Sequence, residues 1–126
     1  TDTGERIQDV LTALAFLHAR RDLAPEPKVA GLEQAGLWCL FAAAIDASTG
    51  TVVADLNQFP IDDDDAWVDQ YYVPCLRAVG DLRTAVAMNR PDRNLLLLNG
   101  GPHAAHYGIE AEEGPFDLNT LLTVLK

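Results

Sequence analysis

Apolar residues recur at Ile7, Val10, Leu11, Leu14 and Leu17, the 3.6-residue period of an amphipathic helix, which predicts a helix from about Gly4 to Arg21. Arg20 and Arg21 close it, where cations suit the helix dipole. Leu23 to Lys28 carries Pro25 and Pro27 and reads as a connector. Gly36 to Asp46 is apolar almost throughout, a pattern shared by buried strands and buried helices. Turn chemistry at Asp46-Ala47-Ser48-Thr49-Gly50, followed by the β-branched stretch Thr51 to Leu56, favours a strand over 37–45 and a hairpin for the whole. Trp67, Tyr71, Cys75, Val79, Leu82 and Val86 then recur at three and four, predicting one long central helix from about Asp64 to Asn89. A kink or break is expected at Pro74 and Gly80. Asn89-Arg90-Pro91-Asp92 ends it. Asn94 to Asn99 is a short apolar strand and Gly100-Gly101-Pro102 a turn. Alternation of Ala105, Tyr107, Ile109 and Ala111 with polar residues then predicts the second arm of a second hairpin. Glu113-Gly114-Pro115 breaks that arm. Phe116, Leu118, Leu121, Leu122 and Leu125 mark a short C-terminal helix, with Asp117 as its N-cap. The expected fold is α+β: an antiparallel sheet from two β-hairpins, with three helices packed against it.

A chain of 126 residues reads as a single domain. It can bury roughly two-thirds of its unfolded surface without metal or disulfides. An apolar fraction of 48% separates it from disordered chains despite a net charge of −10. That charge disfavours nucleic acid and anionic membranes as partners, since both need clustered Lys and Arg. No stretch has the apolar length of a membrane helix, and Thr1 to Glu5 does not resemble a signal peptide, so a cytoplasmic location is expected. Cys39 and Cys75 sit in apolar runs and read as small buried hydrophobes; without Cys-x-x-Cys there is no zinc or redox motif.

The acid is unevenly placed. Seven aspartates and no Lys or Arg lie between Asp46 and Asp69, while Tyr71 to Arg93 sets Arg77, Arg83, Arg90 and Arg93 against Asp81 and Asp92. Such segregation steers oppositely charged surfaces. The run Asp62, Asp63, Asp64, Asp65 lacks the alternating ligands and glycine of a calcium loop, and reads as a helix start on an acidic surface rather than a metal site. His103 and His106 would fall on opposite faces of a strand, and His106 and Glu110 would be roughly 13 Å apart along it. Gly100-Gly101 lacks the Lys of a phosphate loop and the third glycine of a dinucleotide fingerprint. Ser48, the only serine, is not in a nucleophile motif, and His18 flanks the first helix. No catalytic set, cofactor or metal is indicated.

The favoured function is a small acidic protein-binding module, an adaptor, chaperone or inhibitor for a basic protein. Asp62, Asp63, Asp64, Asp65, Trp67, Asp69 and Tyr72 form the expected contact surface. A competing reading is a ligand-binding or catalytic pocket near the second hairpin turn, lined by Asn99, His103, His106, Tyr107 and Glu110. The expected element order is similar to that of dimerising α+β modules such as roadblock-type proteins and type III secretion chaperones, which implies a homodimer. In size and acidity the chain also resembles small immunity proteins of bacterial toxins.

Overall fold

The computed structural model describes residues 1–23, 26–89, 94–113 and 117–125. Helix α1 (Asp2–Ala19) is capped by Thr1, whose hydroxyl accepts the Gly4 N–H. Strand β1 (Val29–Gly31) leads into helix α2 (Ala35–Ile45), and strand β2 (Val52–Asp55) follows. Helix α3 (Asp64–Gln70), a 3-10 turn at Arg77–Val79 and helix α4 (Asp81–Met88) precede strand β3 (Leu95–Leu98). Helices α5 (Gly101–His106) and α6 (Leu118–Leu125) complete the described chain.

The sheet is parallel, not antiparallel. Its order is β1-β2-β3, with Val29 beside Val52 and Val52 beside Leu95. Each pairing therefore needs a crossover, and helices supply it: α2 joins β1 to β2, and α3 with α4 joins β2 to β3. Neither expected hairpin exists. Residues 37–45 are helix, and the residues expected as the outer strand of the second hairpin form α5 and the turn after it. The architectural similarity to dimerising antiparallel modules goes with the hairpins. The long central helix is broken where proline and glycine stand: α3 ends at Tyr71 before Pro74, and Gly80 takes φ 101° at the start of α4. Pro25, the stop at Arg90-Pro91-Asp92, and Gly114-Pro115 with Phe116 lie outside the described residues.

Central strand β2 is buried along its whole length, as the middle strand of a parallel sheet must be. Helix α2 packs on β1, β2, α1 and α4 at once. The core gathers Leu37, Leu40, Phe59, Ile61, Trp67 and Tyr71 around these elements. Two glycines allow the close approach: a Cβ on Gly36 would lie 1.8 Å from the Asp55 carbonyl oxygen, and one on Gly31 would lie 2.4 Å from that of Ala35. No helix among the described residues is long and apolar enough to cross a membrane.

Candidate functional site

The aspartate run divides by role. Asp63 caps α3, its Oδ1 accepting the N–H groups of Asp65 and Ala66 at 2.9 and 3.3 Å. Asp62 Oδ1 meets His103 Nδ1 at 2.9 Å. Its own backbone N–H, then the imidazole, hold that carboxyl below its ordinary range. Asp64 accepts from Arg77 Nε at 2.9 Å. Asp65 and Asp69 are exposed on α3, and among the described residues neither is ion-paired. Two of the four consecutive aspartates are thus already met by basic side chains, Asp62 by His103 and Asp64 by Arg77, and the free acid of this face is carried by Asp65 and Asp69.

Trp67 is not on that surface. It and Tyr71 point inward, one helical turn apart, and meet Phe59 edge-on at 4.8 and 4.9 Å between ring centres. The Trp67 Nε1–H donates to the Ile61 carbonyl at 2.7 Å, so its polar edge is satisfied inside. The Tyr71 hydroxyl donates to the Gln34 carbonyl, and burial, then the Asp55 carboxylate, push its pKa to about 12. Tyr72 faces water at 50% exposure, beside Val68 at 62%. Between α3 and the chain from Val73 to Ala78 lies an apolar groove of about 300 Å³, with Val68, Tyr72, Leu76 and Cys75 among its walls and Asp64 and Arg77 at its edge. Val68 and Tyr72 also wall a second depression, shared with Asp2, Gln34 and Asp69. They form a ridge between two hollows.

Arg77 organises the ground behind the groove. Besides Asp64, its guanidinium donates to the Ile61 carbonyl, to Asp81 Oδ2 at 3.1 Å and to the Tyr107 hydroxyl at 3.1 Å. Burial opposes its charge, but Tyr107, Asp81 and Asp64 outweigh that and hold its pKa above the ordinary value. Asp81, with a side chain only 1% exposed, also accepts from the Tyr107 hydroxyl at 3.0 Å. Burial first, then Asp81, raise the Tyr107 phenol.

The five residues of the competing pocket do not converge. Asn99 donates to Asp55 Oδ1, His103 turns to Asp62, and Tyr107 turns to Asp81. His106 is exposed at the end of α5. Only Tyr107 and Glu110 share a described depression, with Arg83 and Ile109. The two histidines stand on a helix rather than on opposite faces of a strand. No cluster of three or more His, Cys, Asp or Glu side chains suited to a metal occurs among the described residues. His18 Nε2 reaches Ser48 Oγ at 2.8 Å and Asp46 Oδ2 at 3.3 Å, joining α1 to the loop after α2. Both contacts fall on one nitrogen and Ser48 donates to Asp46, so the trio lacks the relay order of a nucleophile triad.

Sequence reasoning missed Asp55. It ends β2 and is buried, accepting the backbone N–H groups of Glu33 (3.0 Å) and Asn57 (2.8 Å) as well as the Asn99 amide. Glu33, Asn57 and Asn99 all hold positive φ, so one carboxylate fixes the loops leaving all three strands. The triplet Asp55-Leu56-Asn57 was the available signal, an Asx turn closing a β-branched run. Arg77, Asp81 and Tyr107 had no such signal beyond the four-residue spacing of the first two.

The cysteines differ more than their sequence contexts suggest. Cys39 is buried in α2, and desolvation pushes its thiol up to about 11. Cys75, expected to be buried, is exposed, because Pro74 ends the helical run and Cys75 turns outward at φ 66°. Titration with an aromatic disulfide near neutral pH is expected to show one fast thiol in the native protein and two in denaturant. Two fast native thiols would contradict the burial of Cys39.

Comparison of the chain with protein-family models, curated proteins and solved structures yields no match.

Proposed function

We propose that the chain is an acidic protein-binding module whose contact surface is the exposed face of α3. The observation that carries this reading is the juxtaposition of the apolar groove, the Val68–Tyr72 ridge and the unpaired carboxylates of Asp65 and Asp69. An apolar side chain of the partner enters the groove, and flanking Lys or Arg residues meet Asp65 and Asp69. Area supplies affinity in such a contact, and charge supplies encounter rate and choice of partner. A chain of net charge −10 repels its own kind, which favours a basic partner over a second copy.

The test compares three baits in capture from native lysate at low and high salt: the unaltered protein, Asp65→Asn/Asp69→Asn, and Tyr72→Ala. All three positions are exposed, so each variant is expected to keep its stability within about 0.5 kcal/mol of the unaltered protein's. The expected result is a protein retained by the first bait, weakened by salt, and lost with both variants. Equal retention by all three baits, or no retained protein, would reject this surface.

A further inference from the structure

The depression that Tyr107 and Glu110 share with Arg83 and Ile109 has the makings of a small-molecule site. It measures about 420 Å³, within the range of ligand pockets. Two elements build it. Helix α4 supplies Arg83, Val86 and Ala87, which share one face at spacings of three and four; the turn after α5 supplies Tyr107 to Glu110. The floor is apolar, from Val86, Ala87 and Ile109. Each wall carries one charge, Arg83 from the helix and Glu110 from the turn. Among the described residues neither is ion-paired, with each other or with any other group.

Arg83 is held ready rather than loose. Its guanidinium lies 4.3 Å from the centre of the Tyr107 ring, a cation–π arrangement that leaves the N–H edge free for an anion. The ring is itself fixed, because its hydroxyl donates to Asp81 and accepts from Arg77. Asp81 Oδ1 also accepts the backbone N–H of Arg83, at 3.4 Å. The same buried carboxylate thus sets both the start of α4 and the ring beneath the guanidinium. Gly108 turns the other wall at φ 75°, and a Cβ there would meet nothing within 4 Å, so the mouth is open.

From this juxtaposition of an unpaired guanidinium, an unpaired carboxylate and an apolar floor, we infer that the depression binds a small zwitterion with an apolar arm, an apolar amino acid being the simplest. The ligand carboxylate takes the Arg83 fork, its ammonium faces Glu110, and its side chain covers Val86 and Ile109. This site does not depend on the reading of the α3 face, and a failure of either leaves the other standing.

The experiment is a titration followed by amide and methyl chemical shifts, with three probes: L-leucine, N-acetyl-L-leucine, which lacks the cation, and L-leucinamide, which lacks the anion. For so small a ligand a Kd on the order of 1 mM is expected for leucine, with shifts centred on Ala87 and Ile109. Both analogues are expected to bind about tenfold more weakly. Arg83→Gln should abolish the advantage of leucine over leucinamide, and Glu110→Gln its advantage over N-acetyl-leucine. Both residues are exposed, and circular dichroism checks that the variants stay folded. No shift at 10-fold the expected Kd, shifts centred elsewhere, or an unchanged probe order in both variants would overturn the site.

Discussion

Replacing Gly36 by alanine is expected to destabilise the protein by about 3 kcal/mol or more, a large part of the roughly 5–15 kcal/mol that holds a domain together. The added methyl would sit 1.8 Å from the Asp55 carbonyl oxygen and 2.7 Å from its carbonyl carbon. Both are backbone atoms of the central strand, so no side chain can swing aside. Relief requires α2 to lift from β2, which parts the most extensive helix–sheet contact in the fold. It also pulls on the loop whose Glu33 N–H is bound by Asp55. Urea unfolding followed by tryptophan fluorescence measures the loss. Gly50→Ala is the control, since the nearest atom a Cβ would meet there is Glu26 Cβ at 3.3 Å, a contact relieved by a shift of a few tenths of an ångström, and a cost below about 1 kcal/mol is expected. A Gly36→Ala midpoint equal to that of the unaltered protein would mean that α2 does not seat on β2 as described.

Trp67→Ala is the second large effect, expected at about 3–5 kcal/mol. The indole fills the space between Phe41, Phe59 and Tyr71, and its removal also takes one of two donors, the other being Arg77, from the Ile61 carbonyl. Trp67→Phe should cost less, since one aromatic ring remains and the loss is confined to the indole N–H and the volume of its second ring. The pair of variants separates packing from surface contact. Trp67 also lines the groove, so its removal is expected to weaken capture together with stability, whereas Tyr72→Ala weakens capture with the fold intact. Near-native stability of Trp67→Ala would place the indole outside the core.

Much of the local structure was legible in the sequence, and the topology was not. Helix α1, strand β3 and the closing helix follow their periodicities, and the breaks near Pro74 and Gly80 fall where backbone chemistry demands. Residues 37–45 were misread because α2 is covered by α1 on one side and by the sheet on the other. A helix buried on both sides has no polar stripe, so its period disappears, and only the Ala42-Ala43-Ala44 triplet argued for helix. Asp46 to Gly50 was real turn chemistry, with the Ser48 N–H on Asp46 Oδ1 at 2.9 Å. It joins a helix to a strand rather than two strands. The alternation from Ala105 to Ala111 was accidental. Pro102 in the first turn of α5 was the signal for a helix start there. At the candidate sites, Asp63 as a cap could be read from its position. The inward turn of Trp67 had a signal in its four-residue spacing with Tyr71, against its placement on the contact surface. The Arg77 cluster draws on residues from Ile61 to Tyr107, and only folding brings them together.

A parallel sheet of three strands has two open sides, and Leu95-Leu96-Leu97-Leu98 would make one of them an adhesive template for other chains. The fold meets the C-terminal end of that side with a single stretch of backbone. The Glu112 N–H bonds the Leu97 carbonyl and the Asn99 N–H bonds the Glu112 carbonyl, both at 2.8 Å. The opposite side is left to β1, which is only three residues long and follows Pro27 and Lys28. A strand so short, entered through a proline and a cation, offers an incoming chain few free backbone groups in a row. Resistance of the folded protein to edge-to-edge pairing thus rests on how the sheet is terminated as well as on its negative charge.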